Sequence, residues 1–241
     1  MANIMDFTKE SLGNLFEAGD AICCYHDPEL IERIVYEAKL YNYRSICTST
    51  NWLDMYRKLL EGTNIKLIGM VAYPYGDMSI ECKKVEIKIA IEKGCDALDI
   101  VMNISYLKSG MWDEFKNEVF ELVNYAKSLK PDIEVKPLIE VCLLNNEQLT
   151  FATEVVRDSG AEFFKTQTGW FPVGLTLDQL KLMRKVAPDM GIKACGSITE
   201  SIEGIAAVLE AGANIIGGNG IRIVEGLEFY QDYLRRNQKA D

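Results

Sequence analysis

Apolar runs in this chain carry charges where a core would not welcome them. EFFKTQTGW (162–170) sets Lys165 in a segment heading for the interior, GIKACGS (191–197) does the same with Lys193, and ALDIVMN (97–103) holds Asp99 among aliphatic residues. A fourth run, EVKPLIEV (134–141), carries Lys136 and Glu140. Burying an ammonium is costly or forces the amine to give up its proton, so such a lysine needs either a partner or a task. The partner reading is a structural ion pair, Lys136 with Glu140 or Lys165 with Asp99. The task reading is amine chemistry. Two ammoniums in one cavity disfavour each other's charge, so one loses its proton more easily and attacks carbonyls while a nearby carboxylate moves protons. That is the outfit of a Schiff-base enzyme, and it asks for no metal or cofactor.

Composition narrows the alternatives. The chain of 241 residues has a single histidine, His26, so a Ser-His-Asp or Cys-His machine would have to run through it, and its setting CCYHDP reads as a loop or helix-entry position. The seven cysteines (Cys23, Cys24, Cys47, Cys82, Cys95, Cys142 and Cys195) are odd in number and scattered, without C-x-x-C. They read as reduced, mostly buried small hydrophobes rather than zinc ligands or a disulfide framework. A formal charge of −10 argues against nucleic acid as a partner, though not against a small anion in a locally basic pocket. No apolar run approaches the roughly 18–20 residues of a membrane span, and the opening MANIMDFTKESLGNLFEAGD is too polar for a signal peptide. The expectation is a cytoplasmic protein with a small-molecule substrate and no membrane partner.

The elements that must position these residues alternate regularly. AICCY (21–25) precedes DPELIERIVYEAKLYN, whose Asp27 and Pro28 form an N-cap and first-turn pair. Further β-rich runs at 44–49, 65–72, 97–103, 134–141, 163–168, 192–197 and 214–219 are each followed by an amphipathic helical stretch. Eight such units in one domain over 1–241 predict an α/β fold, a single (β/α)8 TIM barrel, with residues 1–19 as a short N-terminal helical extension across its bottom. A doubly wound open sheet is the runner-up, and it lacks a G-x-G-x-x-G turn after the first strand. Alternate residues of a barrel strand face the interior. Asp99, Val101 and Asn103 share one face; Lys136, Leu138 and Glu140, Lys165 and Gln167, and Lys193, Cys195 and Ser197 do likewise on the next three strands. Polar residues thus fall on one parity of four successive strands.

With these residues in place, the chain resembles the deoxyribose-phosphate aldolases, metal-independent class I aldolases with a (β/α)8 fold. The resemblance runs from about Asp20 to the last strand, in YPYG (73–76), ALDIVMNISYLKSG (97–110), VKPLIEVCLL (135–144), EFFKTQTGW (162–170) and GIKACGSIT (191–199). It implies that Lys165 forms the Schiff base with the aldehyde donor, that Lys193 lowers the proton affinity of Lys165, and that Asp99 takes part in proton relay. Thr166, Thr168 and Gly169 match the strand end beside the nucleophile. The implied reaction is reversible cleavage of a 2-deoxy sugar, 2-deoxy-D-ribose 5-phosphate or a close analogue, to acetaldehyde and a three-carbon aldehyde.

The sequence departs from the family on the phosphate side. A Gly-Gly-Ile-Arg type turn is usual after strand seven and a Gly-x-Ser-Ser type turn after strand eight. Here the turns are Gly196-Ser197-Ile198-Thr199, with threonine in the arginine's place, and Gly217-Gly218-Asn219-Gly220. Their glycines permit a backbone nest for an anion. Trp170 follows Gly169, and the usual Asp-His-Thr opening is missing, with Asp20 its nearest match. Two substrates stay open: a phosphorylated sugar held by a cation from elsewhere, Arg222 for example, or a different, non-phosphorylated hydroxy-aldehyde or ketose. A barrel that binds a sugar without turning it over is a third reading. Analogy with other barrels suggests a homo-oligomer.

Overall fold

The structure, a computed structural model, describes residues 2–20, 23, 25–171 and 173–237. Eight parallel strands pair in chain order and close on themselves. They are β1 (Phe16–Gly19), β2 (Ser45–Ser49), β3 (Lys66–Val71), β4 (Ala97–Val101), β5 (Glu134–Leu138), β6 (Phe163–Lys165), β7 (Gly191–Ala194) and β8 (Ile215–Gly217). The closing register is Phe16 with Ile216 and Glu17 with Gly217. Helix α1 (Lys9–Gly13) precedes the barrel. The outer layer is α2 (Pro28–Leu40), α3 (Leu53–Leu59), α4 (Ile80–Glu92), the short α5 (Ile104–Lys108), α6 (Trp112–Leu129), α7 (Asn146–Asp158), α8 (Leu177–Val186), α9 (Ile202–Glu210) and α10 (Ile221–Asn237).

Local chemistry starts most of these helices. Asp27 accepts from the Leu30 N–H with Pro28 in the first turn of α2, as the sequence predicts. Ser79 and Ser201 cap α4 and α9, and α7 and α8 open with reciprocal boxes, Asn145 with Gln148 and Thr176 with Gln179. None of the described helices is long and apolar enough to cross a membrane.

The first strand is not where the sequence puts it. AICCY is the more strand-like run, yet β1 is Phe16–Gly19, and Ala21, Ile22 and Cys24 lie outside the described residues. Closure decides the matter: FEAG has partners on both sides, β8 and β2, whereas a local preference for a pleated strand has no such reward by itself. The leading segment therefore ends at Leu15 rather than residue 19. It comprises a 3-10 turn (Ile4–Asp6) and α1, tied to the last helix by Gln231 Nε2, which donates to the Ile4 and Phe7 carbonyls at 2.9 Å each. Strands β3 to β8 end earlier than their apolar runs. The residues beyond them turn over the barrel mouth.

The interior is divided. Cys47, Ile68, Met70, Ala97, Val101 and Leu138 form a small apolar cluster from β2 to β5. Glu17, Asp99, Lys136, Lys165 and Lys193 are also almost wholly buried, and ion pairs join them into one charged group inside the barrel.

Candidate active site

Strand register brings the three sequence-predicted residues to one point. Lys165 pairs with Lys193 across β6 and β7, and Asp99 sits on β4 beside Lys136 of β5. Asp99 Oδ2 accepts from Lys165 Nζ at 2.7 Å and from Lys193 Nζ at 2.8 Å. Burial opposes ionisation of Asp99, but Lys165, Lys193 and Lys136 outweigh it and hold its carboxyl well below the usual carboxylate range. Burial likewise disfavours the charge of Lys193; Asp99 and Glu17 reverse this and raise it well above an ordinary lysine.

Glu17 is the residue that sequence reasoning missed. Its carboxylate lies 2.6 Å from Lys193 Nζ and 3.4 Å from Lys136 Nζ. Burial raises its pKa, yet Lys136 and Lys193 together lower it to about 2. Parity would have found it had the first strand been placed correctly, because Glu17 is the register partner of Gly217 on the closing pair, and both line the cavity. Lys136 pairs with Glu17 and, at 2.6 Å, with Glu134, not with Glu140 as the ion-pair reading expected. Glu134 also meets Arg44 at 2.6 Å. Glu140 accepts from the Thr168 N–H at 2.7 Å instead.

Three lysines thus face two fully buried carboxylates, Asp99 and Glu17. Lys193 has both as partners and Lys136 has both and Glu134. Among the described residues Lys165 has Asp99 alone. Lys165 and Lys193 line a cavity of about 800 Å3 that opens at the C-terminal ends of the strands, the end where barrel loops build sites. Among the described residues no three His, Cys, Asp or Glu side chains gather as metal ligands.

Of the expected substrate contacts, Thr168, Gly169, Gly196, Ser197, Gly217, Gly218 and Asn219 line this cavity. Thr166 does not: it has the opposite parity, and its Oγ1 accepts from the Cys195 N–H at 3.1 Å, joining β6 to β7. The Thr199 hydroxyl is directed at the Gly196 and Gly217 carbonyls, at 2.8 and 3.2 Å, which takes its proton away from any ligand. Asp20 is buried outside the cavity lining. It accepts from Thr48 and Tyr56 at 3.1 and 2.8 Å and lies 3.3 Å from Nε2 of His26, which stacks on Trp52 before α2. Of the cysteines, Cys47, Cys95 and Cys195 are buried, while Cys82 is exposed.

No family model matches the chain. Individual relatives do. The deoxyribose-phosphate aldolase of Caldanaerobacter subterraneus subsp. tengcongensis is 42% identical over 199 residues, 82% of this chain and 85% of that protein. That of Clostridium novyi is 40% identical over 200 residues, 82% and 88% of the two chains. The chain belongs to the deoxyribose-phosphate aldolase family. Among solved structures, the tetrameric deoxyribose phosphate aldolase from Aeropyrum pernix superposes with a TM-score of 0.81 at 26% identity, covering 92% of each chain. A putative deoxyribose-phosphate aldolase from Coccidioides immitis shares the fold, with a TM-score of 0.85 at 22% identity over 94% of this chain and 90% of that one. In this member of the deoxyribose-phosphate aldolase family Lys165, Lys193 and Asp99 stand together, and the turns at 196–199 and 217–220 carry neither lysine nor arginine.

Proposed function

We propose that this protein is a class I aldolase that cleaves a 2-deoxy sugar, 2-deoxy-D-ribose 5-phosphate or a close analogue, to acetaldehyde and a three-carbon aldehyde, with Lys165 as the covalent nucleophile. The observation that carries the reading is the convergence of two lysine Nζ atoms on one Asp99 oxygen at the floor of the cavity. Three lysines share three buried carboxylates, Asp99, Glu17 and Glu134, and among the described residues Lys165 is the one with a single carboxylate partner, so the Nζ least committed to ion pairs belongs to a lysine that lines the cavity. Lys193, held by Asp99 and Glu17, stays an ammonium and lends the site its charge.

The steps follow from those roles. The Lys165 nitrogen lone pair adds to the substrate carbonyl carbon, giving a carbinolamine, and loss of water leaves a protonated imine. The substrate's C3 hydroxyl then loses its proton to Asp99, directly or through a water it holds. The C2–C3 bond breaks, its electron pair passes to C2 and the imine becomes an enamine. The three-carbon aldehyde departs. Protonation at C2 restores the imine, and water releases acetaldehyde and the free amine.

Borohydride reduction in the presence of acetaldehyde tests this directly. The expected result is added mass on the peptide containing Lys165. Label confined to Lys193 would reverse the two assignments, and the absence of any adduct would remove the Schiff-base reading.

A further inference from the structure

Gln167 stands two residues beyond Lys165 on the same inward parity and lines the cavity. It is 1% exposed, and neither its amide nitrogen nor its amide oxygen has a hydrogen-bond partner among the described residues. Buried polar groups in folded proteins are paired as a rule, so an amide with both ends unmade, facing a cavity, marks a place for a ligand. The neighbouring backbone is shaped around it. Gly196 has φ +106°, and a methyl group on its Cα would run into the Gln167 amide.

The amide offers one donor side and one acceptor side. A phosphate group accepts and, when fully ionised, does not donate; beside Gln167 it would satisfy the nitrogen and set an anion against Oε1. A hydroxyl both donates and accepts and answers both ends. The surroundings point the same way. Thr199, at the position where an arginine would fork onto phosphate, has its hydroxyl on the Gly196 and Gly217 carbonyls. Asn219 accepts from the Gly19 N–H. The guanidiniums of the cavity, Arg33 and Arg222, stand on exposed positions of its rim, which Glu37 and Glu200 share.

We infer that Gln167 determines specificity at the end of the substrate remote from the imine carbon, and that it reads a hydroxyl there, so the preferred substrate is a non-phosphorylated 2-deoxy sugar. This rests on the aldolase reading above and sharpens its substrate. The test compares kcat/KM for free 2-deoxy-D-ribose and for its 5-phosphate in wild type, Gln167→Met, Gln167→Glu and Arg222→Ala, with acetaldehyde trapping run alongside. Wild type is expected to use the free sugar at least as well as the phosphate. Gln167→Met keeps the length and removes both hydrogen bonds; it should lower kcat/KM for the free sugar by about 10- to 100-fold, chiefly through KM, and for the phosphate by less. Gln167→Glu keeps the shape, guards against a misfolded Met variant, and should penalise the phosphate more than the free sugar. A wild-type preference for the phosphate of about a hundredfold, abolished by Arg222→Ala and untouched by Gln167→Met, would overturn the inference and give the anion to the rim. Equal losses on both sugars in Gln167→Met would overturn it too. Missing acetaldehyde adducts on wild-type Lys165 would instead remove the aldolase reading beneath it, a failure that no specificity ratio can imitate.

Discussion

Two buried lysine–carboxylate assemblies are anchored at the fourth strand, and they are completed differently. Outside the barrel, Lys83 of α4 donates to the Gly76 carbonyl at 2.6 Å, to the Val101 carbonyl at 2.8 Å and to Glu118 Oε1 at 2.7 Å, while Glu118 Oε2 accepts from the Asn103 N–H at 2.8 Å. One cation meets one anion, every ammonium proton has an acceptor, and neither residue lines the cavity. Inside, three lysines share three buried carboxylates unevenly, Asp99 Oδ1 has no hydrogen bond among the described residues, and two of the lysines open on the cavity. A buried ion pair that only supports a fold is expected to resemble the first, because each unmatched group costs stability without return. The second is what an amine nucleophile needs.

The sharpest way to break this contrast is to remove one partner from each assembly. Asp99→Asn should depress turnover by about 10²–10⁴-fold, the usual range for a positioned proton-transfer group, with a much smaller effect on imine trapping by acetaldehyde. Near-wild-type turnover would move the proton relay elsewhere. Lys83→Met should leave turnover per folded molecule within about threefold while lowering unfolding stability by about 3–5 kcal/mol, since Glu118 stays buried without its cation. Denaturant unfolding and kinetics on the same preparations decide it. A Lys83 variant that is stable but inactive would make the two assemblies one functional unit.

How far each assembly was legible in the sequence follows from the periodicity behind it. A strand alternates strictly, so a charge on the inward parity is conspicuous, and Asp99, Lys165 and Lys193 could be read from three short runs. Glu17 shares that parity but was hidden because AICCY outbids FEAG on strand preference, and only barrel closure reverses the choice. Lys83 and Glu118 sit on helices, where lysine and glutamate are expected on the solvated face. A signal existed: Ile80, Lys83, Ile87 and Ala90 recur at helical spacing along the packed face of α4. The direction of the Thr199 hydroxyl depends on carbonyls of two separate turns, and no local pattern encodes it. The count of eight alternating units at this chain length carried the barrel itself, although its first strand lies before the first of those runs.

The comparison also has an acid limb. Glu17 is lowered to about 2 from the 4.5 of a free glutamate, with Lys136 and Lys193 overcoming its burial. A carboxyl with a lower pKa in the folded than in the unfolded state contributes stability above the unfolded value, and that contribution disappears as pH falls through the folded one. Asp99, shifted in the same direction, adds to it. Stability should therefore fall by a few kcal/mol between about pH 4.5 and 2, and Glu17→Gln should flatten part of that slope while being less stable than wild type at neutral pH. Urea midpoints across this range are the measurement. An unchanged slope would mean that Glu17 does not carry its charge against the lysines.

The smallest expected effect concerns the loop that follows Lys165. Both backbone groups of Thr168 are held by side chains: its N–H donates to Glu140 Oε1 at 2.7 Å, and its carbonyl accepts from the Tyr73 hydroxyl at 2.8 Å. Two residues separate this clamp from Lys165, so it sets where the cavity wall stands rather than which protons move. Tyr73→Phe deletes one hydrogen bond and leaves a partly buried carbonyl unmatched, which should cost about 1 kcal/mol of stability. Because the wall formed by Thr168 and Gly169 is loosened and the Lys165–Asp99 contact is untouched, kcat/KM should fall about fivefold, with most of the change in KM. A loss in kcat at constant KM would place the Tyr73 hydroxyl among the groups that move protons. A fall confined to KM keeps chemistry with the interior cluster and substrate placement with the clamp.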